Sequence, residues 1–332
     1  MASLLGLSRE IRDEILQWVL QHERTPPAGR EQQLAGEERV PIVDVRTGAW
    51  LLKHKVLYEP KTAQPTATPL LLVNRQLNAE VQDAVARLQR KEGRSCKVDV
   101  MLLEEKELWV TPLRTPTCSP VLDQVEAVIR MVGVIPDSDL PAERTIWDKC
   151  SDGPPYYKHT FYYALERFLR AGPTGRPVAA ECFDKVDRHM VVHRLVLNFV
   201  TPTPDEQHPL ALNGEYRECM AARCFGGPAG NKSYRKKLLR PEWLANELLN
   251  TLRFIIRGGK YEVRYARLVL ERVGVITVQI DGRPYQEIDV GAHLRGMKFR
   301  GDPNWPGHQE SKDFYRAWRK EVFAARAAAG LA

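Results

Sequence analysis

The sequence predicts an α+β (mixed α/β) protein: a helical module over 1–92, a mixed-sheet α/β domain over 93–300 ending in a β-meander, and a basic helical tail over 301–332. Three observations predict it. Two leucine-rich amphipathic segments, LLGLSREIRDEILQWVL (4–20) and LLLVNRQLNAEVQDAVARL (70–88), stand near the start of the chain. Beyond Gly93 the texture changes to alternating strand and helix patterns, with VVHRLVLNFV (191–200) the clearest buried strand. Finally, Asp281-Gly282 separates two apolar runs, the signature of a tight hairpin, and helices alternating with strands before an antiparallel close imply a mixed sheet.

The elements follow in order. Ser8 is placed to cap the first helix, and Glu10 stands where the helix dipole favours an acid. Ile11, Ile15, Trp18 and Val19 recur at i, i+4, i+7 and i+8 as one apolar stripe, which Leu16 and Leu20 widen. Pro26 and Pro27 disfavour helical geometry just before them, so the helix should end near Gln21–Arg24. Thr25–Glu38 reads as a mobile loop because of its Pro, Gly and charge content. Residues Pro41–Tyr58 suit a hairpin turning at Thr47–Gly48. The second helix is expected to carry Val73, Leu77, Val81, Ala84, Val85 and Leu88 on one face. Ile11, Ile15, Val73, Leu77 and Val81 are expected to be buried where the two helices touch, with Leu7 and Leu16 left partly accessible.

In the second domain, Val98, Val100 and Leu102 alternate as in a strand; Leu108–Thr111 is short and Trp-containing, and Val125–Ile135 is mixed, with β-branched residues enriched toward its end. Phe161–Leu169 reads as a helix closed by Gly172. Pro241 opens the best helix of this half, through Leu244, Leu248, Leu252, Ile255 and Ile256 to Gly258-Gly259. Tyr261–Leu270, Val275–Ile280 and Tyr285–Val290 then read as strands of the meander. Ser311–Ala328 is a basic, alanine-rich helix.

Composition narrows the function classes. Of 332 residues, 43% are hydrophobic and 27% charged, which is ordinary globular chemistry. The net charge of +7 is a thin excess of 49 basic over 42 acidic residues, which permits an anionic partner without demanding one. Arg9, Glu10, Arg12 and Asp13 interrupt any apolar leader, and no stretch approaches the roughly 18 apolar residues of a membrane span. The six cysteines are dispersed and read as reduced thiols. The expectation is an intracellular protein of cytoplasm or nucleus that engages no membrane.

Catalytic chemistry finds little purchase. GGPAGNKS (226–233) matches the phosphate-loop pattern at Gly226, Lys232 and Ser233, but Asn231 stands where the second glycine belongs. That loop needs a buried strand before residue 226 and a helix starting at 233. His189 and His193 are four apart, yet on a strand that spacing is about 13 Å, too long for one metal. Cys219 and Cys224 lack a second ligand pair. No G-x-S-x-G elbow is present, and neither cofactor nor metal is expected. One dense basic cluster, SYRKKLLR (233–240), offers Arg235, Lys236, Lys237 and Arg240 to an anionic partner such as nucleic acid, with the basic C-terminal helix assisting.

The two N-terminal segments carry a resemblance. Leu7-Ser8-Arg9-Glu10-Ile11-Arg12-Asp13-Glu14-Ile15-Leu16 resembles the first helix of F-box domains, which read L-P-x-E-[IL]-x-x-x-[IL]-[LYF]. Leu71-Leu72-Val73-Asn74-Arg75-Gln76-Leu77 is similar to the Leu-Leu-x-Val-x-Arg-Gln helix of fungal F-box-like proteins. The resemblance covers about the first ninety residues; Ser8 stands where the family has proline, and the interval between the elements is longer than in a compact F-box. It implies a non-catalytic interaction protein, a substrate-recognition subunit of a cullin-type ubiquitin ligase. A Skp-type adaptor would dock on Leu7, Glu10, Ile11, Ile15, Leu16 and Trp18, and the remaining chain would hold a protein substrate of unknown identity.

Overall fold

A computed structural model describes residues 4–29, 38–41, 55–59, 65–117, 119–135, 156–173, 187–224, 232–256, 263–299 and 308–331. It confirms the α+β class. Eight strands form one mixed sheet: β1 (Val40–Pro41), β2 (Val56–Tyr58), β3 (Ser95–Leu103), β4 (Glu107–Arg114), β5 (Val121–Val132), β6 (Val191–Val200), β7 (Val273–Ile280) and β8 (Arg283–Asp289). Their spatial order is β1-β2-β4-β3-β5-β6-β7-β8. The centre, β3-β5-β6-β7, is parallel throughout, while β3–β4 and β7–β8 are antiparallel hairpins.

Helices α4 (Tyr156–Ala171), α7 (Pro241–Ile256) and α8 (Val263–Arg272) pack beside that parallel centre. Alternate strand residues supply the core beneath them, among them Val98, Val125, Ile129, Leu195, Phe199 and Ile276. The long apolar runs of the parallel strands exist because these strands have neighbours on both edges and a helix layer above. Helix α4 ends as expected, Gly172 taking φ +76 and returning its amide to the Phe168 carbonyl at 2.8 Å. The Asp281-Gly282 turn is also as expected: both residues have positive φ, 50° and 75°, the geometry a two-residue hairpin selects. Asp281 further receives the amide and hydroxyl of Thr201 at 2.8 and 2.7 Å, tying the loop after β6 to the hairpin.

Two expectations are corrected here. Tyr261–Leu270 is not a strand, because its described residues fall in α8, so the meander reduces to the β7–β8 hairpin. Ala266, Val269 and Leu270 are buried at helical spacing, and Arg267 pairs with Glu271 one turn on at 2.7 Å. Packing against α7, α9 (Val290–Gly296) and α10 (His308–Ala328) thus outweighs the β preference of the segment's valines and tyrosines. The C-terminal segment is a helix as expected, but it is docked. Trp318 and Val322 are buried, and Arg326 donates to the carbonyls of Leu270 and Val273.

At the N-terminus, α1 (Arg9–Gln21), α2 (Ala67–Leu71) and α3 (Arg75–Glu92) share a small core of their own: Leu16, Leu20, Ala67, Leu77, Val81 and Ala84. The expected hairpin appears as the antiparallel pair β1–β2, with Val40 opposite Tyr58; its turn at Thr47–Gly48 lies outside the described residues. In the Thr25–Glu38 loop the Pro27 carbonyl accepts from Arg130 of β5 at 2.9 Å; residues 30–37 lie outside the description. Just before it, the Arg24 amide donates to the Leu113 carbonyl at 3.0 Å.

Candidate functional site

Helix α1 begins where the sequence places it, the Arg12 amide donating to the Ser8 carbonyl at 3.1 Å. Ser8 makes no side-chain cap, which corrects that expectation. The Glu10 carboxyl is instead held below its usual range by its own backbone amide and by the Ser8 hydroxyl.

The face that α1 buries is not the expected one. Arg12, Leu16 and Leu20, one row at i, i+4 and i+8, turn onto α3. Ile11 is 48% exposed and Trp18 76%, Ile15 and Leu7 are half-buried, and Glu10 is exposed. The expectation that Leu16 stays accessible is therefore overturned, as is the burial of Ile11; Leu77 and Val81 are buried as expected. Val73 is 61% exposed for a local reason. The Asn74 side chain accepts the Leu77 amide at 2.8 Å, so α3 starts at Arg75 and the residue before its cap lies off the helix.

What selects the buried row is an ion pair that sequence reasoning missed. Arg12 donates two bonds to Glu80 on α3, at 2.8 and 2.6 Å, and a third to the Leu7 carbonyl. Both side chains are nearly sealed, and the Arg12 guanidinium holds the Glu80 carboxyl at about 2. Such a bidentate pair satisfies both charges only if Arg12 faces α3, which commits Leu16 and Leu20 inward and the Ile11–Ile15–Trp18 row outward. The signal was present: Arg12 interrupts the row of Leu16 and Leu20, while Glu80 lies between Leu77 and Ala84. A charge within an apolar row on each of two contacting helices is a paired burial waiting to be matched.

The two helices run parallel, since Arg9–Asp83, Asp13–Arg87 and Gln21–Glu92 ascend together. They contact one another as expected despite the long interval between them. On the side away from the apolar row lies a groove of about 560 Å³. Glu10, Asp13 and Glu14 form one bank, Arg87 and Lys91 the other, and Leu20, Ala84 and Leu88 the floor. Helix α1 thus carries three strips: a buried row, an acidic row beside the groove, and an outward apolar row.

The basic cluster is occupied differently. Arg235 donates to the Ala222 carbonyl at 2.6 Å, Lys237 pairs with Glu215, and Arg240 reaches the Ala211 carbonyl and Glu242. Lys236 alone of the four is well exposed. These cations tie the segment after α6 (Lys232–Arg235) to α5 (Tyr216–Cys224) and to the loop before it. Nearby, Arg223 is fully buried and donates twice to Glu105 at 2.6 Å, with further bonds to the carbonyls of Tyr234 and Lys237.

The phosphate-loop reading is overturned. Residues 225–231 lie outside the description, but the chain entering them is helix α5 and not a buried strand, so converging amides at a strand-to-helix turn are ruled out. His193 lies within β6 and His189 precedes it at φ 50; among the described residues no cluster has the ligands for a metal ion. Cys96 and Cys219 are buried free thiols, and burial pushes the Cys96 thiol up to about 12. No described helix is long and apolar enough to cross a membrane. Comparisons with known protein families, with curated proteins and with solved structures returned no match.

Proposed function

We propose that this protein is a non-catalytic interaction adaptor that docks a partner protein on the outward row of α1. Its F-box-like N-terminal motifs name the partner class, a Skp-type adaptor of a cullin-type ubiquitin ligase. The sheet domain then holds a protein substrate, in the cytoplasm or nucleus. The observation that supports this reading is the exposure of Ile11 and Trp18 on a helix whose hold on its own protein uses a different row. A tryptophan left three-quarters in water is costly apolar surface for an isolated protein and a usual anchor for a partner. Its neighbours Glu10 and Glu14 give the row a charged rim, the arrangement of a docking patch.

Isothermal titration of the full chain against a purified Skp-type adaptor tests it. Wild type should bind, and Trp18→Ala should weaken binding by about 2 kcal/mol or more, the scale of an interface anchor, with the melting temperature held. Wild type that binds no such adaptor removes the ubiquitin-ligase reading. The alternative, nucleic-acid binding through residues 233–240 and the C-terminal helix, has less support because Arg235, Lys237 and Arg240 already serve carbonyls and carboxylates of their own protein.

A further inference from the structure

Between the sheet and its helices lies a cavity of about 80 Å³, bounded by β3, β4, β5 and β6 below and by α4 and α7 above. Val100, Ala127 and Leu197 form part of its floor, and Leu165, Phe168 and Leu252 part of its roof. Two features set it apart from an ordinary packing defect. Ala127 sits on β5, flanked by paired strands on both sides, yet it is only half-buried. Ala164, Leu165 and Phe168 on α4 are half-buried as well, so the cavity communicates with solvent along that helix.

The chemistry of the lining restricts the occupant. Among the described residues it contains no charged side chain. Of its hydroxyls, that of Thr251 is already donated to the Glu247 carbonyl at 2.9 Å. Water needs about two to four polar partners to settle in such a space, and apolar cavities without them stay dry and accept hydrocarbon guests. A carboxylate or ammonium would lose its hydration with no counter-charge in reach.

We infer that this cavity is a binding site for a small, uncharged apolar molecule, an aromatic ring or a short alkyl chain, reached along α4 and independent of the α1 surface. The test is methyl NMR of the full-length protein titrated with benzene, with hexanoate as a charged control. Methyl resonances of Val125, Leu195, Leu248 and Leu252 should shift saturably with benzene, those of Leu72 and Leu212 should stay in place, and hexanoate should leave all of them unmoved. Ala127→Leu and Ala164→Leu each fill the cavity and should abolish the benzene shifts while the remaining spectrum is retained; if one fails to fold, the other gives the same reading. No saturable shift in wild type, or shifts that survive in a folded filled variant, would overturn the site. Equal shifts with hexanoate would overturn its apolar, uncharged selectivity.

Discussion

Helices α1 and α7 are both amphipathic, and they end up in opposite situations. Helix α7 turns Leu244, Leu248, Leu252, Ile255 and Ile256 inward and leaves one large apolar side chain, Phe254, in solvent. Helix α1 buries Leu16 and Leu20 and leaves Ile11 and Trp18 outside, with Leu72 and Val73 exposed just before α3. The difference lies in what each helix has beneath it. A sheet offers α7 a broad surface that consumes its whole apolar arc, and each side chain so buried contributes about 1.5–3 kcal/mol. Three helices with no sheet beneath them enclose only a narrow core, so a helix with two apolar rows can bury one of them. The surplus row is then surface for something else.

The sharpest break of this comparison is electrostatic. Each region is locked by a bidentate arginine–carboxylate pair, Arg223–Glu105 at the sheet and Arg12–Glu80 between α1 and α3. Glu105→Ala strands the fully buried Arg223 charge and is expected to cost about 3–5 kcal/mol in urea unfolding, the largest single loss anticipated here. Leu16→Ala should cost about 2–5 kcal/mol by emptying the small core. Ile11→Ala, on the same helix, should stay within about 0.5 kcal/mol because it faces water. Equal losses at positions 11 and 16 would mean that both rows of α1 are covered.

Acid should separate the two regions next. The Glu80 carboxyl titrates at about 2 in the folded protein against an ordinary 4.5. Its folded pKa is depressed, so the stability it contributes is complete above about pH 4.5 and is lost as pH falls toward 2. Urea midpoints measured across that interval should decline less steeply for Glu80→Gln than for wild type, because the variant lacks the titrating group. Parallel declines would show that Glu80 carries no coupling to Arg12. A further expected effect is local: Gly282→Ala places a side chain at φ 75° and should cost about 1 kcal/mol, lowering the unfolding midpoint while adaptor binding is unchanged.

What was legible follows the same contrast. Helix α7, strand β6 and the Asp281-Gly282 turn could be read because one local pattern had one destination. Tyr261–Leu270 could not, since its β-branched and aromatic residues suit a strand until the buried spacing of Ala266, Val269 and Leu270 against other helices decides otherwise. The orientation of α1 was hidden for a related reason: Ile11–Ile15–Trp18 and Leu16–Leu20 are both acceptable apolar rows, and the choice depends on Glu80, about seventy residues away, finding Arg12. Local periodicity shows that a helix is amphipathic; when it has two apolar rows, only its tertiary partner says which one is spare. Of the residues expected to dock a partner, Leu7, Glu10, Ile11, Ile15 and Trp18 keep some exposure, while Leu16 belongs to the core.

The central claim is that the outward row of α1 receives a partner, and Trp18 reports on it directly. The seven tryptophans can be labelled with 5-fluorotryptophan and the Trp18 resonance assigned by Trp18→Phe. On adding a Skp-type adaptor, fluorine NMR should show the Trp18 signal moving from its solvent-exposed position while the buried Trp109 and Trp318 signals hold theirs. A complex that forms with the Trp18 signal unmoved would contradict the claim and place the docking surface elsewhere on the protein.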